Sequence, residues 1–186
     1  MCRAPTKLEV AGYAVDGNYA AALRSDAYKL SCGTFTVFTA LCVAYRREEL
    51  CERFGAQALV HACMGPLQSY ASYMGDVHLL GRGHNYWPDL ILAPLVSLWA
   101  AHLYGHLRAF HLSAGFSLAC FATALYRNHK LRRDDWVLFH VAWHTLPLSL
   151  YVGLFGAGPD VQMAKGLVGV LLLLHACSSN VLSRKR

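Results

Sequence analysis

Asp134-Asp135-Trp136-Val137-Leu138-Phe139-His140-Val141-Ala142-Trp143-His144 decides how the chain is read. Two acids stand where a basic loop ends and an apolar run begins. His140 and His144 are four residues apart, which sets both imidazoles on one face of a helix. The surrounding residues read as a membrane span, where imidazoles are costly without partners. A shared metal ion is the most economical partner. An inward-facing polar pair that only holds helices together is the alternative. Asp134 and Asp135 read as a helix start, where the helix dipole favours negative charge.

The rest of the chain supports a membrane reading. Of its 186 residues, 55% are hydrophobic and 15% charged, whereas soluble domains carry about 25% charged residues. Long apolar runs alternate with short charged clusters, the layout of a multi-pass membrane protein. The expected fold is all-α, a polytopic membrane helical bundle of about six transmembrane helices. The runs are 28–45, 55–80, 89–107, 109–126, 134–155 and 163–182. They form a single transmembrane domain over 28–183, after a polar N-terminal tail (1–27) and before a basic C-terminal end (184–186). Pro147 is expected to kink the fifth run. Trp87 and Trp136 suit a membrane interface, and Trp143 is expected to pack beside the histidine pair.

Most of the 17 Lys and Arg residues fall on the side of the termini, so the positive-inside rule places both termini in the cytosol. The net charge of +6 then needs no nucleic-acid partner. Residues 1–29 lack the apolar core of a signal peptide. The seven cysteines show no CxxC spacing and mostly lie in apolar runs, where they read as small hydrophobes.

Placed by depth, several polar residues converge. Ser72, Asp76 and His78 lie toward the end of the second run, and Asp89 opens the third on the same side. At a rise of about 1.5 Å per residue, His140 and His144 lie roughly 9 and 15 Å below Asp134, in that same half of the bundle. Three imidazoles and a water are a common catalytic zinc arrangement, and a carboxylate can orient or deprotonate the water. Asp76 reads either as a partner to a metal-bound imidazole or as an interfacial acid. His102, His106 and His111 read as interfacial histidines. His175 reaches a depth similar to His140, which keeps a bis-histidine haem as a further alternative.

The motif His140-Val141-Ala142-Trp143-His144, with His78 and Asp89 eleven residues apart, resembles the CREST superfamily of membrane hydrolases. That superfamily includes the alkaline ceramidases and the adiponectin and progestin receptors. The resemblance implies His78, His140 and His144 as zinc ligands and Asp89 as the residue that orients the water. It implies a serine that assists the transition state. That serine's usual position is Met74 here, and Ser72 is the nearest candidate. The superfamily core has seven helices with the late motif in the last, whereas six runs are found here, with one after the motif. The implied activity is hydrolysis of an amide or ester bond in a membrane lipid. The run from Ser72 to Asp89 also resembles short six-span proteins of microbial eukaryotes. From another class, a non-enzymatic integral membrane protein, receptor-like or a structural subunit, remains open.

Overall fold

The computed structural model describes residues 22, 25–78, 87–131 and 133–183, which are helical apart from short turns, with no strand among them. The expectations for most of the tail, for the loop around 81–86 and for the basic end 184–186 fall outside the described residues.

The first apolar run is two helices, not one. Helix α1 (Asp26–Ser31) starts at Ser25, whose hydroxyl accepts the Tyr28 N–H at 3.2 Å. It stops before Cys32-Gly33, and α2 (Thr34–Tyr45) follows. Local side chains take carbonyls in place of helical amides. Ser31 Oγ donates to Tyr28 O at 2.8 Å, and Thr34 Oγ1 lies 2.9 Å from Ser31 O. Such back-bonding competes with the helical ladder, and Gly33 adds conformational freedom at the break. After Tyr45, a short amphipathic helix α3 (Arg47–Phe54) forms between the first two apolar runs. Its Glu49–Arg53 pair at 2.7 Å has helical i,i+4 spacing. Gly55 ends it with φ of 55°, a conformation costly for other residues.

The second run becomes α4 (Gln57–Tyr73), continued by a π-helical turn π1 (Met74–His78). Helix α5 (Trp87–Tyr104) and α6 (Arg108–His129) are separate, joined by the short turn 105–107. The fifth run is α7 (Trp136–His144) followed by α8 (Leu146–Phe155), bent by 43°. Pro147 has no N–H to offer the Trp143 carbonyl, so the expected kink becomes a break. The His144 carbonyl is instead capped from another helix, by the Thr34 hydroxyl. Thr34→Val is expected to cost about 1–2 kcal/mol, by leaving a buried carbonyl unmet. Thr34→Ser should retain most of that stability, as read by thermal unfolding in detergent. The last run is α9 (Pro159–Ser183).

By length and composition, α6 and α9 can each cross a membrane, and α7 with α8 makes a third if the bent pair counts as one span. Helix α2 is apolar but has only 12 residues. Two apolar centres hold the helices together. One gathers Phe38, Leu103, Tyr104, Leu148, Tyr151 and Val161 from α2, α5, α8 and α9. The other gathers Tyr28, Ala124, Trp136, Val137, Val141 and Leu171 from α1, α6, α7 and α9. Trp136, expected at an interface, is therefore buried. Tyr28 of α1 folds over it edge-on, with ring centroids 5.7 Å apart. Trp143 packs on Phe121 of α6, while Trp87 is exposed.

Asp135 occupies the cap position of α7, but its side chain makes no capping hydrogen bond. Its carboxylate pairs with Arg127 and with Arg133, the latter at 3.0 Å. Two guanidinium groups within reach outcompete a neutral backbone amide for that charge.

Candidate metal centre

The break between α1 and α2, the π-helical turn and the end of α7 meet at one buried point. Ser31, Cys32 and Thr34 face it from the break, Ser72 and Asp76 from α4 and π1, and His140 and His144 from α7. Turns of π-helix inside α-helices often mark functional sites, because the wider turn re-aims side chains.

Asp76 Oδ2 lies 3.5 Å from His140 Nε2 and 3.5 Å from His144 Nε2. Ser72 Oγ donates to the same oxygen at 3.1 Å, and lies 3.4 Å from His144 Nε2. The two imidazole rings are 4.5 Å apart between centroids. Tyr28 and Trp136 cover His140, at 4.9 and 5.6 Å, and Phe35 meets the edge of His144 at 6.1 Å.

One hydrogen-bond arrangement puts the His144 proton on Nδ1. Ser31 Oγ lies 3.0 Å from His144 Nδ1. The single hydroxyl proton of Ser31 is already given to Tyr28 O. In that arrangement Ser31 accepts, and Nδ1 carries the imidazole proton. Nε2 is left as a lone pair aimed at the Asp76 carboxylate. The Ser72 proton goes to Asp76, so acceptor faces acceptor across 3.5 Å. A buried pair of acceptors is stable with a cation between them, either a proton or a metal ion.

Cys32, Asp76 and His144 together meet the geometry of a metal-ion site. One ligand atom from each lies within 4.8 Å of the other two, with Cys32 and His144 buried and Asp76 partly buried. Thiolate, carboxylate and imidazole are all ligands of divalent transition metals, and softer sulfur favours zinc-like ions over magnesium or calcium. The group shares His144 with the set expected from sequence. It brings in Asp76 and Cys32, and includes neither His78 nor His140. His140 sits next to it, against Asp76. His78 is exposed at the end of π1.

Asp89 opens α5 and accepts from Gln68 Nε2 at 3.3 Å. It packs on π1 at Gly75, where an added Cβ would come within 2.9 Å of its carboxylate. Ser72 is buried in the cluster. His102, His106 and His111 are exposed, and His175 is half-buried on α9. Cys32 was hidden in the sequence because nothing in its spacing separates it from the six other cysteines. The available signal was its neighbourhood, Ser31-Cys32-Gly33-Thr34, a polar break inside an apolar run.

No protein-family model matches the chain, no curated protein is detectably similar in sequence, and no solved structure is detectably similar to it.

Proposed function

We propose that the chain is a six-span integral membrane protein with both termini in the cytosol. We further propose that it holds zinc at the Cys32/Asp76/His144 group and hydrolyses an amide or ester bond of a membrane lipid, as the CREST resemblance implies. The observation that carries this reading is the meeting of acceptor groups around Asp76, which calls for a cation. For the membrane part, support comes from α6, α9 and the bent pair α7–α8, which have the length and apolarity of membrane spans. Exposed Leu59, Leu98, Leu112, Leu118 and Leu173 suit lipid contact better than water.

In this reading His144 binds through Nε2 while Ser31 holds Nδ1, the outer hydrogen bond that metal-bound histidines generally need. Bound zinc would bring the pKa of a coordinated water to about 7, making a nucleophile available at neutral pH. Ser72 places its hydroxyl beside both Asp76 and His144, where it can donate to an oxygen that becomes charged. Asp89 takes the role of orienting the water from beside Gly75. A lipid substrate follows from the resemblance and from depth in the bilayer.

A second reading has its own support. Tyr28, Trp136, Ser31 and Thr34 tie the same histidines into a closed knot joining α1, α2 and α7. A protonated, metal-free version of that knot would serve only to hold helices.

Elemental mass spectrometry on detergent-purified protein separates the two. About one zinc per chain is expected, falling to less than about a tenth in Cys32→Ala, Asp76→Ala and His144→Ala. His78→Ala distinguishes ligand sets: retained metal supports Cys32/Asp76/His144, and loss supports the three-histidine set of the resemblance. Fatty-acid release from ceramide or ester lipids should disappear in His144→Ala. Metal-free wild-type protein whose stability is unchanged in these variants would sink the metal reading.

A further inference from the structure

A second polar constellation lies at the other end of α4. His61 precedes Asp76 by fifteen residues, roughly 22 Å along the helix axis, so it stands apart from the metal cluster. It lines an apolar pocket between α2, α4, α5 and α8, with Phe35, Phe38, Met64, Trp99, Tyr104 and Pro147 among its walls. His61 is only 7% exposed.

Its hydrogen bonding is incomplete. Tyr104 hydroxyl lies 3.4 Å from His61 Nε2. A phenol is a stronger acid than a neutral imidazole N–H, so the hydroxyl is taken as donor to Nε2, and the imidazole proton then sits on Nδ1. Among the described residues, nothing accepts from Nδ1. The Trp99 indole N–H is buried without an acceptor. An indole N–H can only donate. His61 is thus the donor at this apolar pocket that a guest can reach, and a guest acceptor would satisfy it. The pocket walls contain no Lys or Arg, so a carboxylate would bring an uncompensated charge. The aromatic walls, with Phe38 edge-on to His61 at 5.3 Å, suit an apolar body.

We infer that this pocket binds a neutral apolar molecule through a carbonyl oxygen, accepted from the bilayer or from solution, with His61 Nδ1–H as the principal donor. The site is independent of the metal cluster and of any hydrolysis there.

Photolabelling with benzophenone tests it. Its excited carbonyl takes a hydrogen atom from a nearby C–H, and the two carbon radicals then join; a methionine methyl is a favoured donor. Labelling of the purified full chain should map by peptide mass spectrometry to Met64 and its pocket neighbours. Dicyclohexyl ketone should compete about fivefold better than dicyclohexylmethane, which has the same bulk without the oxygen. His61→Phe should abolish that difference while leaving dicyclohexylmethane competition unchanged. Equal competition by the two compounds on wild-type protein, or labelling scattered over the exterior, overturns the inference. The wild-type comparison decides the matter even where His61→Phe does not fold.

Discussion

Asp160→Ala is expected to lower the stability of the folded chain by about 3 kcal/mol, the low end for breaking a buried ion pair. Asp160 is 3% exposed at the start of α9. Arg46, between α2 and α3, reaches it with Nε at 3.0 Å and Nη2 at 3.3 Å, a two-pronged contact. The same guanidinium donates to Ala157 O at 3.1 Å and lies over the Phe155 ring. Tyr151 of α8 donates its hydroxyl to the same carboxylate. Partial burial works against the Arg46 charge, and hydrogen bonding with Asp160 and Tyr151 outweighs it, so its pKa is raised. One carboxylate thus joins α8 and α9 to the α2–α3 corner. Gly158 makes room for it: φ is 129°, and an added Cβ would stand 2.5 Å from Asp160 Oδ1. The low end applies because Arg46 keeps some solvent contact. Most of the loss comes from stranding Arg46, so Arg46→Met combined with Asp160→Leu should recover much of it. Thermal unfolding of the two single variants and the double in one detergent checks this. A double variant as unstable as the two singles added together would refute the pairing account.

That corner was not legible in the sequence. Asp160 sits after Gly156-Ala157-Gly158-Pro159 and reads as a turn acid, and Arg46 reads as one of a charged cluster ending a helix. Their separation by more than a hundred residues hides the pair from any local pattern. Helix α3 was missed for a related reason. Its polarity resembles a loop, and its apolar face becomes visible only where Leu50 buries into the core. The helical class was legible because apolar runs of span length leave few other options. Pro147 signalled a bend in the fifth run, though as a kink and not the break between two helices that forms. The break at Cys32-Gly33 was masked by the hydrophobicity on either side. Two or three helices satisfy the length and apolarity of a span by themselves.

The site was half legible. HxxxH spacing placed His140 and His144 together, and their ring contact follows directly from helical geometry. Depth placed Asp76 and Ser72 at the right level, and both reach His144's surroundings. Direction around a helix is harder to read than depth. The π-helical turn alters which residues of 74–78 face inward, and it leaves Asp76 at the cluster and His78 exposed. A strict 3.6-residue period cannot anticipate that insertion.

Gly65→Ala should be among the most damaging single-methyl additions in the chain. A Cβ there would lie 2.4 Å from Thr39 Cγ2 and 2.5 Å from Phe35 O. The second contact is backbone, which cannot rotate away. Thr39 cannot easily yield either, because its hydroxyl donates to Thr36 O at 3.0 Å. Glycine at this point lets α2 and α4 approach closely, as small residues do between membrane helices. Just beyond it, Ser69 Oγ accepts the Thr36 N–H at 3.0 Å, an amide in the first turn of α2 that no helical carbonyl can take. Pushing the helices apart would strain both contacts, and overpacking of this kind costs about 1–3 kcal/mol. The upper figure is expected, because the clash is with main chain. The consequence extends beyond stability. Helix α4 carries Ser72 and Asp76, and the α1–α2 break carries Cys32 and Ser31, so the spacing of α2 and α4 sets the width of the metal cluster. Gly65→Ala should therefore reduce bound metal as well as the unfolding temperature. Gly169→Ala, where an added Cβ meets nothing within 4 Å, supplies the control; it should leave metal content unchanged and gain up to about 1 kcal/mol from helix propensity. If Gly65→Ala unfolds no earlier than Gly169→Ala, the close approach of α2 and α4 is wrong, and the cluster that depends on it loses its foundation.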